Sequence, residues 1–286
     1  MITIVFGKPG AGKTAFLAAD VVRYINGSPE SCALLQQCAA EVKKLNDNGA
    51  LFSMPESAPV YTNFPVTASC GTYAPYEPYY VDGFHLGFEN DDVEVMPVLP
   101  CARIYLSEAQ RYYNSRRSKD LPDWVSRYFE EHRHFGLQIY LDVQRPGLID
   151  VNIRELCERF LEIQRMEHRY DRIGGNIVSS TFFYREFTDW KYVDQYLGGH
   201  DGGYTEGKSV YTGNIFECYE SKSYFRQFVP ERDFAMYRHV RGADTQEDAY
   251  LAKVMYQQTP PEGFYAPRRQ SQSKQQKGGT VDVPGY

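Results

Sequence analysis

The chain has 286 residues, 42% of them apolar, and a formal net charge of −6 at pH 7. This length is enough for one large α/β domain with its own core or for two small domains. The acidic balance excludes a protein that clamps nucleic acid with its whole surface, and no run of 18 apolar residues predicts a membrane-spanning helix.

A predicted strand, loop and helix open the chain in direct succession. Ile2–Phe6 is a short apolar run that is typical of a buried parallel strand. The next eight residues, Gly-Lys-Pro-Gly-Ala-Gly-Lys-Thr, match the G-x-x-x-x-G-K-[ST] pattern of a phosphate-binding P-loop. Helical spacing then runs from Ala15 to Ile25. Because a strand precedes the pattern and a helix follows it, we predict a nucleotide site here.

The chemistry of this loop predicts binding of ATP and Mg²⁺. Its glycines let the backbone curl so that several N–H groups point at one anion, and the helix adds its positive dipole end. Lys13 supplies a positive charge for the β- and γ-phosphates, and the Thr14 hydroxyl is a predicted Mg²⁺ ligand. The predicted nucleotide-binding residues are Gly7, Lys8, Pro9, Gly10, Ala11, Gly12, Lys13 and Thr14.

A second helix and a second strand follow. Ser28 is a predicted N-cap, and the helix ends near Asn48. Pro59–Phe64 is the next predicted strand. Asn63 lies at its carboxyl end, where parallel strands face a ligand crevice, so it either meets the nucleotide region or forms the turn before Pro65.

Residues from about 66 to 100 predict a long Tyr-rich insertion. Gly, Pro, Tyr and acidic residues dominate, with short strands expected at Tyr79–Val81 and Val93–Val95. The tyrosines either cover small cores and interfaces or form a stacking surface for single-stranded nucleic acid. We favour the first interpretation, because no Lys or Arg lies between Cys70 and Glu94.

Cys101–Leu106 is the next predicted strand, followed by Ser107 and Glu108. In P-loop ATPases this place holds a second acidic motif, an Asp followed by a Glu. Glu108 is a candidate general base for water, or alternatively an acid at the start of the next helix. Ser107 stands at the Asp position and is a candidate to hold a Mg²⁺-bound water through its hydroxyl.

The rest of the chain alternates predicted strands and helices. Gln144 ends a strong apolar strand and is within predicted reach of the γ-phosphate or the attacking water. The predicted elements are the helix Trp124–His132, the strand Leu137–Val143, the helix Asp150–Phe160, the strand Phe160–Arg165, the strand or hairpin Asn176–Phe187, the helix Asp189–Leu197, the strand Ile215–Ser221 and the helix Thr245–Gln257.

The domain organisation follows from these elements. We predict an ATPase domain over residues 1–225, a helical extension over 226–258 and a disordered polar tail over 259–286. None of the six cysteines forms a C-x-x-C pair, which favours reduced thiols over a metal or disulfide framework. The first residues lack a charged-then-apolar leader, so we expect a cytoplasmic protein.

The combined motifs resemble the zonular occludens toxin-like family, the assembly ATPases of filamentous phages. The resemblance runs from Met1 to about Ser221 and adds more specific stretches to the P-loop. They are Val60-Tyr-Thr-Asn63, Ile104-Tyr-Leu-Ser-Glu-Ala-Gln110, His132-Arg-His-Phe-Gly-Leu-Gln138, Val143-Gln-Arg-Pro146, Ile149-Asp-Val-Asn-Ile-Arg154 and Phe216-Glu-Cys-Tyr-Glu-Ser221.

The resemblance implies an α/β P-loop NTPase with a central, mostly parallel sheet flanked by helices, of the additional-strand RecA/FtsK-like type. It implies a ring of identical subunits, such as a hexamer, that exports single-stranded phage DNA during virion assembly. Lys13 and Thr14 would bind Mg-ATP, Glu108 would activate water and Gln144 would sense the γ-phosphate. Arg133 or Arg145 is then a candidate arginine finger for the neighbouring subunit.

Two departures from the family pattern shape the expectations. Ser107 replaces the Asp of the second motif, which bears on Mg²⁺ affinity and turnover. Family members usually carry a membrane helix after the core, and this sequence predicts no transmembrane segment. Docking at the inner face of the host membrane would then need an anchor protein, and a phage coat protein is a second expected partner.

Two alternatives to the motor remain open. Lys8 gives the loop a Lys-x-Gly-x-Gly-Lys-Thr arrangement, as in deviant P-loop switches of the ParA/MinD type that dimerise on DNA or membrane, although those usually have Gly where this chain has Pro9. A scaffold that binds nucleotide without turnover is the other alternative, favoured by the missing Asp at position 107.

Overall fold

The computed structural model describes residues 1–50, 52–66, 78–81, 86–87, 96–121 and 123–219. The predicted strand Val93–Val95, the predicted helix Thr245–Gln257 and the predicted tail from residue 259 lie outside these ranges. The proposed boundaries of the helical extension and the tail therefore stay predictions.

The described residues contain five α-helices and ten β-strands. The helices are α1 (Lys13–Ile25), α2 (Pro29–Asp47), α3 (Asp123–Glu131), α4 (Val151–Glu155) and α5 (Trp190–Leu197). The strands are β1 (Ile2–Phe6), β2 (Val60–Thr62), β3 (Tyr79–Tyr80), β4 (Leu86–Gly87), β5 (Met96–Pro97), β6 (Arg103–Leu106), β7 (Gln138–Val143), β8 (Arg159–Tyr170), β9 (Ile177–Phe187) and β10 (Thr205–Thr212).

Eight strands form one mixed sheet in the order β10-β9-β8-β1-β7-β6-β2-β3. The strands from β8 to β3 are parallel to their neighbours, while β9 and β10 are antiparallel additions at one edge. Strand β7 is inserted between β1, which leads into the P-loop, and β6, which leads to Glu108. The predicted P-loop NTPase fold with an additional strand in a mostly parallel sheet is confirmed.

Helices cover both faces of this sheet. One core contains apolar side chains of α1 and α2, and the other contains those of α3, α4 and α5. All five residues of β1 are buried, because this strand has a parallel neighbour on each side and helices on each face. The P-loop therefore begins at the centre of the sheet, where the backbone is held most firmly.

The structure differs from the sequence analysis at three places in the second half of the chain. The predicted strand Ile215–Ser221 is wrong over Ile215–Glu217, a 3-10 helix whose first turn is capped by the Asn214 side chain. The sequence analysis missed β10, because an edge strand paired on one side keeps exposed polar residues and lacks an apolar run. The predicted helix from Asp150 to Phe160 ends earlier, since the Glu158 N–H already donates to the sheet at Ile2.

Within the described residues, no helix has the length and apolar character needed to cross a membrane.

Candidate functional site

The P-loop occupies the sheet edge where β1 ends. Gly7 has φ +148° and its Cα faces the Ile163 carbonyl of β8 so closely that a Cβ would lie 2.5 Å from that oxygen. Gly12 has φ +95° and forms the left-handed N-cap of α1. Any larger residue at Gly7 would push the loop off the neighbouring strand, so glycine there is required by packing as well as by backbone conformation.

Helix α1 begins at Lys13 and directs its first N–H groups at the space enclosed by the loop. Lys8, Pro9 and Gly10 are exposed, whereas Ala11 is buried and its N–H donates to the Lys8 carbonyl over 3.1 Å. A helix N-terminus preceded by a glycine-rich turn is a site for phosphate. The chemistry of Gly7–Thr14 therefore suits the triphosphate of ATP.

Lys13 and Thr14 both contact one buried carboxylate, Asp142. The Lys13 ammonium lies 3.9 Å from Asp142 Oδ1, and both side chains are almost fully buried. The Thr14 hydroxyl donates to Asp142 Oδ2 over 2.7 Å. The two P-loop residues with the most specific predicted roles are thus held by a residue that the sequence analysis did not single out.

Ser107 completes this cluster from the end of β6. Its hydroxyl donates to Asp142 Oδ2 over 3.0 Å and lies 3.2 Å from the Thr14 hydroxyl. Leu106 pairs with Leu141 in the parallel register, so positions 107 and 142 are neighbours on adjacent strands. Two predicted metal-binding hydroxyls therefore share one carboxylate.

The environment of Asp142 disfavours its charged form. Burial raises the pKa of the Asp142 carboxyl to about 6, and the negative charge of Glu108 adds to the rise. The Lys13 ammonium and the hydroxyls of Thr14 and Ser107 act in the opposite direction. Because Leu106 pairs with Leu141, Glu108 and Asp142 lie at the same end of the neighbouring strands β6 and β7.

Glu108 has a left-handed backbone, with φ +52° and ψ +41°. A non-glycine residue in this region is strained by the order of 1 kcal/mol. Its carboxylate accepts a short hydrogen bond from the Gln110 side-chain amide, and its side chain is half-buried. Such strain is typical of residues whose orientation serves a site, and the helix that follows is a single 3-10 turn, Ala109–Arg111.

Asn63 fixes the strand end that carries Ser107 and Glu108. Its side-chain amide donates to the Ser107 carbonyl over 2.9 Å and accepts from the Ser107 N–H over 2.7 Å. Asn63 is 3% exposed, so these two bonds join the ends of β2 and β6 in a buried setting. The sequence left open whether Asn63 meets the nucleotide region or forms the turn before Pro65. In the structure, Asn63 lies beside the site and holds the backbone of Ser107.

Gln144 and Arg145 follow the end of β7, where Val143 pairs with Phe6. Gln144 is therefore next to Gly7 at the P-loop edge, and its side chain is exposed. Its role as a sensor stays a prediction.

Arg133 lies at the end of the sheet opposite to the P-loop, where the parallel strands begin. Its guanidinium is 3.0 Å from Glu158 Oε1, and the same oxygen lies 4.0 Å from the Met1 amino group. Glu158 directly precedes β8 and Met1 directly precedes β1, so this cluster marks the starting end of the parallel strands. The Arg133 side chain is 70% exposed. One strand of five residues, roughly 17 Å, separates this edge from the P-loop. A finger role for Arg133 therefore requires a neighbouring subunit, and it stays a prediction.

Tyr219 reaches the site from the last described segment of the chain. Burial raises the pKa of its hydroxyl to about 12, while a hydrogen bond with Thr14 lowers it and the charges of Asp142 and Glu108 raise it. Its ring packs edge-on against Phe64 with centroids 5.9 Å apart. Tyr219 thus covers the Thr14 side of the P-loop.

Sequence reasoning missed Asp142 and Tyr219. A signal for Asp142 was present, because it is the one acid in the apolar strand β7 and stands two residues before Gln144. Tyr219 lies in the stretch Phe216–Ser221 that carries the family resemblance, but no pattern there distinguishes it as a site residue among 24 tyrosines. Among the described residues, no group of three or more His, Cys, Asp or Glu side chains could hold a metal alone. Any metal here would share its coordination with phosphate and water, as Mg²⁺ commonly does.

A family model for Zonular occludens toxin (Zot) matches residues 98–178, less than a third of the chain. This segment contains Ser107, Glu108, Arg133, Asp142 and Gln144. The family resemblance predicted from the sequence is confirmed by this match. A search among curated proteins returned no relative.

Several solved structures overlap with the chain at low identity. The N-terminal domain of zonular occludens toxin from Neisseria meningitidis is 17% identical, with 77% of this chain and 98% of that chain covered and a TM-score of 0.41. The genome packaging NTPase B204 from Sulfolobus turreted icosahedral virus 2, solved with ATP-gammaS, is 8% identical, with 74% and 97% covered and a TM-score of 0.32. Overlaps this loose carry no inference about activity.

Proposed function

We propose that this Zot-like chain is a Mg-ATP-driven motor that moves single-stranded DNA during the export and assembly of a phage or prophage particle. The observation that carries the proposal is the meeting of three elements at one sheet edge. The P-loop, Glu108 and Gln144 follow β1, β6 and β7 in the order expected of an additional-strand ATPase. The match of residues 98–178 to the Zot family supports the phage setting.

In this proposal, the chain's own residues bind ATP, polarise water and stabilise charge. Gly7–Thr14 binds the phosphates, with Lys13 as the cation nearest to them. Glu108 accepts a proton from the attacking water, and Gln144 orients that water. The Thr14 and Ser107 hydroxyls would help to hold Mg²⁺, which neutralises charge on the β- and γ-phosphates.

The proposed assembly is a ring of identical subunits, such as a hexamer, at the inner face of the host membrane. The exposed position of Arg133 supports a role across a subunit boundary, because its own P-loop is a strand length away. A membrane-anchor protein and a coat protein are the proposed further partners. A cytoplasmic location is part of the same proposal.

The test is ATP hydrolysis with and without single-stranded DNA. We expect DNA to accelerate turnover in the wild type, and Glu108→Gln to reduce turnover by about 10²- to 10⁴-fold while it still binds nucleotide. The matched control is Glu130→Gln, an exposed acid on α3 that should leave turnover unchanged. Negligible rates in the wild type, unaffected by DNA, would sink the motor and favour the nucleotide-binding scaffold.

Subunit mixing tests the role of Arg133. Arg133→Ala and Lys13→Ala subunits are each expected to be inactive in homogeneous rings. If Arg133 serves a neighbour's site, mixed rings contain some interfaces with both residues intact, and activity partly returns. Mixed rings that exchange subunits but stay inactive would exclude Arg133. ATP-dependent dimers in light scattering, with no larger ring, would instead support the ParA/MinD-type switch.

A further inference from the structure

The second acidic motif lacks its first carboxylate, because Ser107 stands where P-loop ATPases place an Asp. In those enzymes the Asp and the P-loop Ser or Thr together hold Mg²⁺. A serine hydroxyl is a weaker partner for a divalent cation, which prefers charged oxygen ligands. A working Mg²⁺ site in this chain would therefore need a carboxylate from elsewhere.

We propose that Asp142, on the neighbouring strand β7, supplies the carboxylate that position 107 lacks and serves the divalent cation bound with the nucleotide. Its Oδ2 accepts hydrogen bonds from the Thr14 hydroxyl over 2.7 Å and from the Ser107 hydroxyl over 3.0 Å. Both predicted metal-binding hydroxyls are thus tied to this one group. The proposed carboxylate thus stands on β7 instead of after β6, and it contacts the P-loop residue Thr14.

The strand order makes this exchange of position possible. Leu106 pairs with Leu141, so the residues that follow them lie side by side on the face that carries α1. Adjacent strands are about 4.8 Å apart, and β7 is the strand next to β1. A carboxylate on β7 is therefore closer to the P-loop than one on β6, and it reaches Thr14 directly.

The second oxygen of Asp142 lacks a hydrogen bond at the place where the nucleotide's cation would bind. Oδ1 is buried without a hydrogen bond, and the Lys13 ammonium at 3.9 Å is too distant to donate one. A buried carboxylate oxygen without a partner is costly unless a cation or donor compensates it. A divalent cation, or a water bound to it, would satisfy this oxygen when Lys13 turns to the phosphates.

This inference rests on the nucleotide binding in the proposed function, but it requires neither hydrolysis nor DNA. The two can therefore fail separately. If the chain binds Mg-nucleotide through Asp142 but shows no DNA-stimulated turnover, the motor function is wrong and the role of Asp142 stands. If DNA stimulates turnover but the Mg²⁺ dependence does not involve Asp142, the motor function stands and the role of Asp142 is wrong.

The test measures the affinity of a fluorescent, non-hydrolysable ATP analogue across a series of Mg²⁺ concentrations, together with Mn²⁺ binding by electron paramagnetic resonance. We expect Asp142→Asn to weaken metal binding in the nucleotide complex by about 10- to 100-fold. Nucleotide affinity in EDTA should be equal or tighter, because a negative charge near the phosphates is removed. Thermal unfolding of each variant confirms that it is folded.

The matched control is Asp150→Asn, another buried aspartate with one oxygen that lacks a hydrogen bond; its other oxygen caps α4 by accepting from the Asn152 N–H. Asparagine caps helices as well as aspartate does, so Mg²⁺ dependence should not change. Full Mg²⁺ enhancement in Asp142→Asn would overturn the inference. So would an equal loss of nucleotide affinity with Mg²⁺ and with EDTA, because Asp142 would then act on the loop alone.

A double variant tests the exchange of position itself. Ser107→Asp combined with Asp142→Ser restores the usual placement of the carboxylate on β6. We expect this variant to recover most of the metal affinity that Asp142→Ser alone loses. A folded double variant without recovery would show that the carboxylate cannot act from both strands and would overturn the transfer of the role.

Discussion

Two buried polar clusters lie under α1, and they differ in whether their polar atoms have partners. The Arg103 cluster lies toward the start of β6 and β7, and the Asp142 cluster lies at the end of both strands. All three guanidinium nitrogens of Arg103 donate hydrogen bonds of 2.6–2.8 Å, to Asp20, Tyr105, Gln138 and Tyr140. Asp142 accepts hydrogen bonds at one oxygen, whereas the other has no hydrogen bond and only the Lys13 ammonium at 3.9 Å.

The difference separates a structural role from a functional one. Both clusters tie α1 to the sheet, through Asp20 in one case and Thr14 in the other. A cluster in which every guanidinium nitrogen already donates a hydrogen bond is best suited to stabilising the fold. A buried acceptor without a hydrogen bond destabilises the folded state, and a ligand that binds this acceptor offsets that cost. The two clusters should therefore respond in opposite ways to loss of their charged residue.

The largest expected effect is on the Arg103 cluster. Arg103→Met should lower the free energy of unfolding by about 3–5 kcal/mol, because it leaves Asp20 and three further polar groups without their donor. Urea denaturation measures this loss. Arg127→Met is the control, since the Arg127–Glu131 pair on α3 is exposed and should contribute about 0.5 kcal/mol or less. Equal small losses in both variants would mean that the Arg103 cluster does not stabilise the fold.

The next effect concerns the backbone that carries Ser107. Asn63→Ala should cost about 1–3 kcal/mol through three lost buried hydrogen bonds, two with the Ser107 backbone and one to the Tyr112 hydroxyl, and it should lower turnover because the Glu108 turn is released. Asn46→Ala is a close match, because the Asn46 amide makes the same pair of bonds to the Phe52 backbone. It should reduce stability and leave turnover unchanged. Chemical denaturation and steady-state kinetics separate the two outcomes.

Asp142→Asn should show the opposite sign from Arg103→Met. The free energy of unfolding at pH 7 should stay equal or rise by about 0.5–2 kcal/mol, because burial raises the pKa of Asp142 to about 6 despite the Lys13 ammonium at 3.9 Å, so the loss of this charge outweighs the loss of the ion pair. Thermal and urea unfolding without nucleotide give this value. A loss above about 2 kcal/mol would place Asp142 among structural residues like Arg103.

The smallest effect is expected for the exposed pair at the far edge of the sheet. Arg133→Ala should change the free energy of unfolding by less than about 1 kcal/mol, since the Arg133–Glu158 pair is largely solvated. Arg165→Ala is the control, because Arg165 makes a similar exposed pair with Glu167. Denaturation of a dilute monomer measures both. A larger loss in Arg133→Ala would favour a structural role over a role toward a neighbouring subunit.

Much of the fold could be predicted from local patterns. The β1–loop–α1 unit, the strand before Ser107 and the strand before Gln144 each appear as an apolar run with a motif at its end, so their place on one sheet edge followed from parallel pairing. Strand β10 could not be predicted, because its exposed residues alternate without an apolar face and its partner β9 supplies the pairing.

By itself, the sequence determined the phosphate-binding loop, the type and order of most elements, and the lack of a carboxylate at position 107. Only the tertiary structure decided that Asp142 contacts Thr14, that Asn63 holds Ser107 and that Arg133 lies away from its own P-loop. Those contacts join residues 128 and 44 positions apart in the first two cases. A motif consists of residues that are close in sequence, so it can be recognised locally. Contacts across a sheet depend on strand order, and strand order is decided by the packing of the whole domain.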